Sequence, residues 1–214
     1  MDLNKLIKDA HENAIEKGFY ECPECDMAVV GYKCERCNNT GIDPNKNIPE
    51  LLMLVITEIS EAVEALRCEK HIFENDFYKN VDVFEFIKND DKQIQSLLFE
   101  INIKDTFEDE IADVFIRLAD LCGYLGIEID ENEYAGGVDC AKNKVEALFD
   151  IVEMIVGLKK VIRSIPVKTR PIMFLDIFNQ INFFCERNKI DIEKHIEEKM
   201  QYNKTRPKKH GKEF

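Results

Sequence analysis

Apolar side chains recur at helical spacing along most of this 214-residue chain, and convincing alternating stretches of the kind that form half-buried strands are absent. This period predicts helices over 2–17, 49–67, 106–125, 139–163, 172–187 and 191–203. Prolines and glycines separate several of these segments, because proline interrupts a helix and glycine commonly follows its last turn. Since 45% of the residues are hydrophobic, the chain can form a core, and the sequence predicts an all-α helical bundle.

Composition divides the chain into three parts. We expect an N-terminal helix in 1–18, a small cysteine-containing ribbon in 19–47 and a helical domain in 48–214. Within that domain, residues 70–104 show no clean period and are predicted to form a connector with one or two short helices. Thr106 is predicted to cap the next helix, with Asp109 completing a pattern like the capping box.

Two C-x-x-C pairs dominate the N-terminal ribbon, with eight residues between them: Cys22, Cys25, Cys34 and Cys37. Paired motifs at this spacing are typical of tetrahedral Zn²⁺ sites, and a segment this short cannot bury a core of its own. Because four protein ligands leave no open position, we expect this zinc to be structural and not catalytic. The alternative is a redox dithiol, which needs a supporting fold that the sequence does not show.

Two pairs of acidic residues interrupt apolar helical runs: Glu58 and Glu61 in LLMLVITEISEAVEAL, and Glu110 and Asp113 in TFEDEIADVFIRLADLCGYL. The i,i+3 spacing directs both carboxylates of a pair to one side of a helix, and Glu58 falls inside the apolar arc. Neither run offers an obvious basic partner, so antiparallel packing would gather four carboxylates that repel unless a cation neutralises them. Oxygen ligands favour Mg²⁺ or Mn²⁺. The alternative is two solvated acidic pairs, which are common on helices.

The distribution of charge along the chain limits which kinds of binding partner we expect. A formal net charge of −13 argues against a general nucleic-acid binder. In the C-terminal segment 199–214, by contrast, six Lys or Arg accompany one acid, and such a tail either binds a phosphate or is a solvated terminus. No apolar run reaches membrane-spanning length and no signal-peptide core is evident, so we expect a soluble, cytoplasmic protein without a membrane partner.

Three segments together resemble the MazG-like family of all-α nucleoside triphosphate pyrophosphohydrolases. LLMLVITEISEAVEALR is similar to the first metal-binding helix of that family, and FEDEIADVFIRLADLCGYLGIEID is similar to its second. The ending IEEKMQYNKTRPKKHGKEF is similar to the K-x-x-Y-N-x-x-R-P-x-x-H-G-K ending of the phage and bacterial branch. These segments cover somewhat under half of the chain.

The resemblance implies Mg²⁺- or Mn²⁺-dependent cleavage between the α- and β-phosphates of ribo- or deoxyribonucleoside triphosphates, releasing a nucleoside monophosphate and pyrophosphate. It places the metal-binding and catalytic residues at Glu58, Glu61, Glu110 and Asp113. It places the substrate-binding residues at Lys199, Asn203, Tyr202 and Arg206. A metal-activated water would be the nucleophile, with one of the four acids as base. Relatives assemble as dimers or tetramers, so a homo-oligomer is expected.

The chain departs from the family pattern in three places. Position 57 is Thr where many relatives have a second acid, and two segments are additional: a long connector at about 70–104 and an insertion at about 134–190. These departures motivate a second hypothesis, a non-catalytic module for nucleotide sensing or protein interaction on a degenerate MazG-like scaffold. A third hypothesis is a zinc-ribbon nucleic-acid binder, which the net charge opposes.

Part of the additional segment is weakly similar to the second acidic helix. Residues 175–193 align without gaps with 112–130, so that Asp176 matches Asp113. Met173 stands where Glu110 stands in the first segment, so a second copy would be structural and would complete the bundle within one chain. The alternative is a chance similarity between two amphipathic helices.

Overall fold

The computed structural model describes residues 1–25, 33–72, 92–130, 132 and 143–211. Within these ranges the protein has seven α-helices and no strands, which confirms the all-α fold predicted from the apolar period. Glu21 and Ile42 form an isolated antiparallel bridge at the base of the cysteine ribbon. No helix of the described ranges is long and apolar enough to cross a membrane.

The helices are α1 (Leu3–Glu16), α2 (Ile48–Arg67), α3 (Lys92–Asn102), α4 (Phe107–Tyr124), α5 (Lys144–Val161), α6 (Arg170–Asn188) and α7 (Ile192–Thr205). Short 3₁₀ turns, Val167–Thr169 and Lys208–Gly211, precede α6 and follow α7. These bounds lie within a few residues of the predicted ones. Pro171 lies inside the first turn of α6 and not ahead of it, because proline is tolerated where the helix has no N–H bond to lose. The predicted helical residues 139–142 and the connector residues 73–91 lie outside the described ranges.

Helix α4 lies at the centre of the bundle, with twelve buried residues. It packs against α1, α2 and α7, while α5 packs against α2 and α6. The N–H of Phe107, at the start of α4, donates to the carbonyl of Lys70 beyond the end of α2 at 2.9 Å. The N–H of Lys46, ahead of α2, donates to the hydroxyl of Tyr124 at the end of α4, also at 2.9 Å. Helices α2 and α4 therefore run antiparallel, and residues near their midpoints face each other.

The start of α4 agrees with the capping prediction only in part. Thr106 caps the helix, since its hydroxyl accepts the N–H of Asp109 at 3.4 Å. The carboxylate of Asp109, however, accepts the N–H of Asp105 at 3.1 Å, and the N–H of Thr106 donates to the carbonyl of Ile103. The box-like pattern was therefore wrong in its second half, because the turn before Thr106 already satisfies its N–H.

Helices α4 and α6 end with the same local structure. Gly126 and Lys189, which are equivalent in the alignment of 112–130 with 175–193, have left-handed φ angles of 62° and 58°. In both turns the next N–H donates to the carbonyl five residues back, at 3.0 and 2.9 Å. The equivalent rings of Phe115 and Phe178 also contact each other, with centroids 5.6 Å apart. The two similar segments therefore contact each other through these rings in the core, where aromatic pairs contribute about 0.5–1.5 kcal/mol beyond area burial.

Candidate functional site

The four cysteines of the ribbon lie close together. Their Sγ atoms all lie within 4.8 Å of one another, with Cys22 and Cys34 at 3.7 Å and Cys25 and Cys37 at 3.2 Å. Four sulfurs about 2.3 Å from one tetrahedral zinc would be separated by about 3.8 Å. The cluster has the size and ligand type for a metal ion such as zinc.

Backbone pairing holds the two ends of the ribbon together, and Arg36 forms ion pairs within the ribbon. Asp43 donates its N–H to the carbonyl of Tyr20 at 2.7 Å. Its carboxylate receives two hydrogen bonds from the guanidinium of Arg36, each 2.9 Å long. Residues 26–32, between the two C-x-x-C pairs, lie outside the described ranges. The base of the ribbon is therefore ordered by contacts independent of the cysteines.

A second cluster joins the two acidic helices. Ligand oxygens of Glu58 on α2 and of Glu110 and Asp113 on α4 lie within 4.8 Å of one another. Glu58 and Glu110 are each only 4% exposed, which confirms that Glu58 faces the core. Glu61 is exposed and lies outside this group of three, although it lines the same cleft. Antiparallel packing of α2 and α4 thus brings three of the four predicted acids together.

Two basic side chains pair with this carboxylate cluster, so the expectation that neither acidic run has a basic partner was wrong. Arg117, one turn beyond Asp113 on α4, donates from Nε to Glu58. Lys199 on α7 lies 2.7 Å from Asp113 and 2.8 Å from Asp109. Burial alone lowers the pKa of Lys199, but the carboxylates of Asp113 and Asp109 outweigh it and raise that pKa above its ordinary value.

Glu110 differs from its neighbours because no side chain of the described residues pairs with its carboxylate. Burial, together with the nearby carboxylates of Asp113 and Asp109, raises the pKa of Glu110 to about 9 against the opposing charge of Lys199. Burial also raises the pKa of Glu58, against the effect of Arg117. Burying a carboxylate without a partner costs free energy. A cation bound by Glu110 together with Glu58 and Asp113 would remove that cost.

The cluster lies in a cleft of about 540 Å³ whose walls come from α1, α2, α4, α7 and the chain that follows α1. Three of the four predicted substrate residues line it: Lys199, Asn203 and Arg206. Tyr202 is not among the lining residues, since it stacks on Phe99 with centroids 4.3 Å apart and donates to Glu100 at 3.0 Å. Helix α7 therefore presents one face to the cleft, while Tyr202 attaches its other face to α3.

The C-terminal turn is fixed against the end of α1. Lys17 donates from Nζ to the carbonyls of Lys204 and Arg206, at 2.8 and 2.7 Å. Its own carbonyl accepts the N–H of Lys209 at 2.7 Å, and Lys208 lies 2.6 Å from Glu21. These contacts hold the basic tail at the mouth of the cleft, next to the first residues of the ribbon.

Sequence reasoning missed three residues of the cleft region. Arg117 follows Asp113 by four residues and so shares its helix face, which was an available signal. Asn13 is 7% exposed and lines the cleft, and it lies three residues after Ala10 on the apolar side of α1. Asp109 is 1% exposed. The sequence identified it only as a capping residue, because its partner Lys199 is 90 positions away.

Chemically, the cleft combines a buried carboxylate cluster with basic side chains on neighbouring walls. Such a site can hold a divalent cation together with an anionic ligand. Comparison of this chain with protein-family models, with curated proteins and with solved structures finds no match in any of the three.

Proposed function

We propose that this protein is a Mg²⁺-dependent nucleoside triphosphate pyrophosphohydrolase that cleaves the bond between the α- and β-phosphates. The observation that carries the proposal is the buried cluster of Glu58, Glu110 and Asp113 within 4.8 Å, in which the Glu110 carboxylate has no side-chain partner among the described residues. The cluster opens into a cleft large enough for a nucleotide, with Arg117 and Arg206 on its walls. The similarity of both acidic helices and of the tail to MazG-like proteins supports the same function.

The residues of the cleft take different roles in this proposal. Glu58, Glu110 and Asp113 would hold the cation, which when bound neutralises phosphate charge and activates water. Glu61 is exposed at the cleft beside this group and would accept the proton of the attacking water. Water oxygen bonds to phosphorus as the bridging P–O bond breaks, so the products are a nucleoside monophosphate and pyrophosphate. Asn203 would contact the sugar or base.

We further propose that the four ribbon cysteines hold one structural Zn²⁺. The sulfur-only ligand set and the separations of 3.7 and 3.2 Å between paired Sγ atoms are close to those of a tetrahedral site. All four positions would be taken by protein ligands, so this zinc would stabilise the ribbon and take no part in hydrolysis. The oxygen cluster and the sulfur cluster thus select different metals.

Activity on a panel of ribo- and deoxyribonucleoside triphosphates with Mg²⁺ tests the enzyme, with pyrophosphate and orthophosphate measured separately. We expect pyrophosphate release that falls at least about 1,000-fold in Glu58→Ala, since a carboxylate of the metal cluster is lost. Glu64→Ala is the matched control: Glu64 is an exposed acid of α2 that pairs with Arg67, and its loss should leave the rate unchanged. Orthophosphate release, or equal rates in both variants, would contradict the proposal.

The ion pairs of the cluster support a second candidate, a non-catalytic nucleotide sensor. Arg117 and Lys199 already neutralise Glu58 and Asp113, so two of the three carboxylates have partners in the absence of a metal. Binding of nucleoside triphosphates with Mg²⁺ but without turnover, by a folded and zinc-loaded protein, would favour this candidate. Turnover that depends on Glu58 would exclude it.

A further inference from the structure

Arg117 lies at the edge of the acidic cluster and lines the same cleft. Its Nε donates to Glu58, and its side chain is 30% exposed, compared with 6% for the side chain of Glu58. A guanidinium has five N–H groups, and no acceptor among the described residues pairs with the other four. Arg117 is therefore a partly exposed cation with unused donors.

Lys199 is placed differently, although it also pairs with the cluster. Its side chain is 5% exposed and contacts both Asp113 and Asp109. Asp109 is outside the group of three carboxylates, so Lys199 keeps a buried partner even if a cation takes Asp113. Within the described residues, Glu58 is the ion-pair partner of Arg117, and a cation bound to the cluster would take that carboxylate.

Electrostatics favours an exchange of partners at Arg117. A divalent cation among Glu58, Glu110 and Asp113 would carry twice the charge of the guanidinium and would contact carboxylate oxygens directly. It would therefore weaken the hydrogen bond from Arg117 to Glu58 and repel the guanidinium. A phosphate next to the cation offers two oxygens that match the planar fork of arginine.

We propose that Arg117 exchanges partners when substrate binds: it neutralises Glu58 in the metal-free protein and binds a phosphate of the triphosphate once a divalent cation occupies the cluster. This inference rests on the proposed function and makes Arg117, in place of Lys199, the main phosphate-binding side chain beside the metal. In this exchange Arg117 competes with the metal for Glu58 and helps to bind the phosphate. Its removal should therefore raise the affinity for the metal and lower the affinity for the phosphate.

Titration calorimetry with Mn²⁺ alone tests the first half of the exchange. We expect Arg117→Gln to bind Mn²⁺ about fivefold more tightly than the wild-type protein, because a competing charge is gone. Arg117→Lys keeps the positive charge and should bind Mn²⁺ about as the wild type does. Arg67→Gln is the matched control, since Arg67 pairs with Glu64 on the exposed face of α2, and it should leave Mn²⁺ affinity unchanged.

Binding of inorganic tripolyphosphate to the Mn²⁺-saturated proteins tests the second half. We expect at least about a tenfold loss of affinity in Arg117→Gln, in the range for a charge-assisted bidentate contact. Arg117→Lys should recover part of the loss, because an ammonium supplies the positive charge but not the planar N–H donors that bind two phosphate oxygens at once. Arg67→Gln should bind like the wild-type protein.

The outcomes separate this inference from the proposed function. If the wild-type protein does not bind Mn²⁺, the metal site and the function proposed from it are both wrong. If Mn²⁺ binds but Arg117→Gln gains no Mn²⁺ affinity, or binds tripolyphosphate as tightly as the wild type, the exchange is overturned while the metal site stands. A loss of both affinities in Arg117→Gln indicates a purely structural role and also overturns it.

Discussion

Glu110 shows at the scale of one residue how burial and like charge set the stability of a site. Its pKa is raised to about 9 by burial and by the carboxylates of Asp113 and Asp109, while the unfolded chain has a pKa of about 4.3. The folded protein therefore binds more protons between these values, and the free energy of unfolding decreases as pH rises from about 4.3 to 9. Metal binding would remove this decrease in stability by neutralising the carboxylates of the cluster.

The substitution Glu110→Gln should therefore stabilise the protein in the absence of divalent metal. At pH 8 we expect the free energy of unfolding to rise by ~2 kcal/mol. The folded wild-type protein must either protonate the Glu110 carboxylate or bury it as an anion, and a glutamine amide requires neither. The gain should shrink at pH 5, where the unfolded carboxyl is itself partly protonated. Denaturant unfolding with a chelator at both pH values measures the difference.

Glu64→Gln provides the comparison for this prediction, since Glu64 is exposed and pairs with Arg67 on the surface. Its free energy of unfolding should follow the wild-type pH dependence. A Glu110→Gln protein with that same wild-type pH dependence would show that Glu110 is not the titrating group. Added Mn²⁺ should stabilise the wild-type protein more than Glu110→Gln, because the variant lacks one metal ligand.

At the scale of elements, the ribbon and the helices have separate cores. Cys22, Cys34 and Cys37 form a small buried cluster with Cys25 packed against it, and this cluster is distinct from the main core built by the helices. The ribbon is joined to the bundle by Tyr20, which donates to Asp120 on α4 at 2.9 Å. Loss of zinc should thus affect the ribbon first and the bundle little.

Zinc removal should open the ribbon without melting the helices. We expect metal analysis to find one zinc per chain, and we expect this zinc to be lost on chelation or in Cys25→Ser. Its loss should expose residues 19–47 to proteolytic cleavage, while the helical circular dichroism signal changes little. Cys68→Ser is the control, because Cys68 is an exposed cysteine outside the cluster. Unfolding of the whole chain on chelation would show that ribbon and bundle share one cooperative unit.

At the scale of the whole molecule, Lys199 connects parts of the chain that are far apart in sequence. It joins α7 to Asp109 and Asp113 of α4, which lie about 90 positions earlier. The side chains of Lys199 and Asp109 are 5% and 1% exposed, so this contact is a buried ion pair. Removing one partner of such a pair leaves charge buried without compensation.

Lys199→Met should destabilise the protein by ~3–5 kcal/mol, because Asp109 and Asp113 lose their shared cation. Lys194→Met is the control, since Lys194 lies on the exposed face of the same helix, and its effect should stay within ~0.5 kcal/mol. A second change, Asp109→Asn, should recover part of the loss in Lys199→Met. Denaturant unfolding measures all three, and a Lys199→Met loss below ~1 kcal/mol would contradict the account of this ion pair.

The local elements were predictable because their causes lie within a few residues. The period of apolar residues predicted α1, α2, α4 and α7 closely, and Thr106 was identified as a cap from its position ahead of α4. The predicted position of Glu58 on the apolar side of its helix also agrees with the structure. Helix faces and caps depend on residue spacing along one segment, which the sequence displays directly.

The partners of the cluster were less predictable, since they depend on how separate helices approach one another. The i,i+3 rule placed Glu61 with Glu58, yet Glu61 lies outside the group of three carboxylates, because α4 packs against the side of α2 that carries Glu58. Tyr202 matches the tail motif, yet it contacts α3 and does not line the cleft. A motif specifies residue types, and packing selects which of them share a site.

The sequence alone therefore determined the helical class, the order and approximate bounds of the helices, and the grouping of four cysteines in one short ribbon. Each of these follows from local spacing, where the relevant interactions span a few residues. Only the tertiary structure decided that Arg117 pairs with Glu58, that Lys199 bridges Asp109 and Asp113, and that no side chain in the described part of the chain pairs with Glu110. Those relations arise because burial brings together charges from distant parts of the chain, and their energies depend on distances that no single segment encodes.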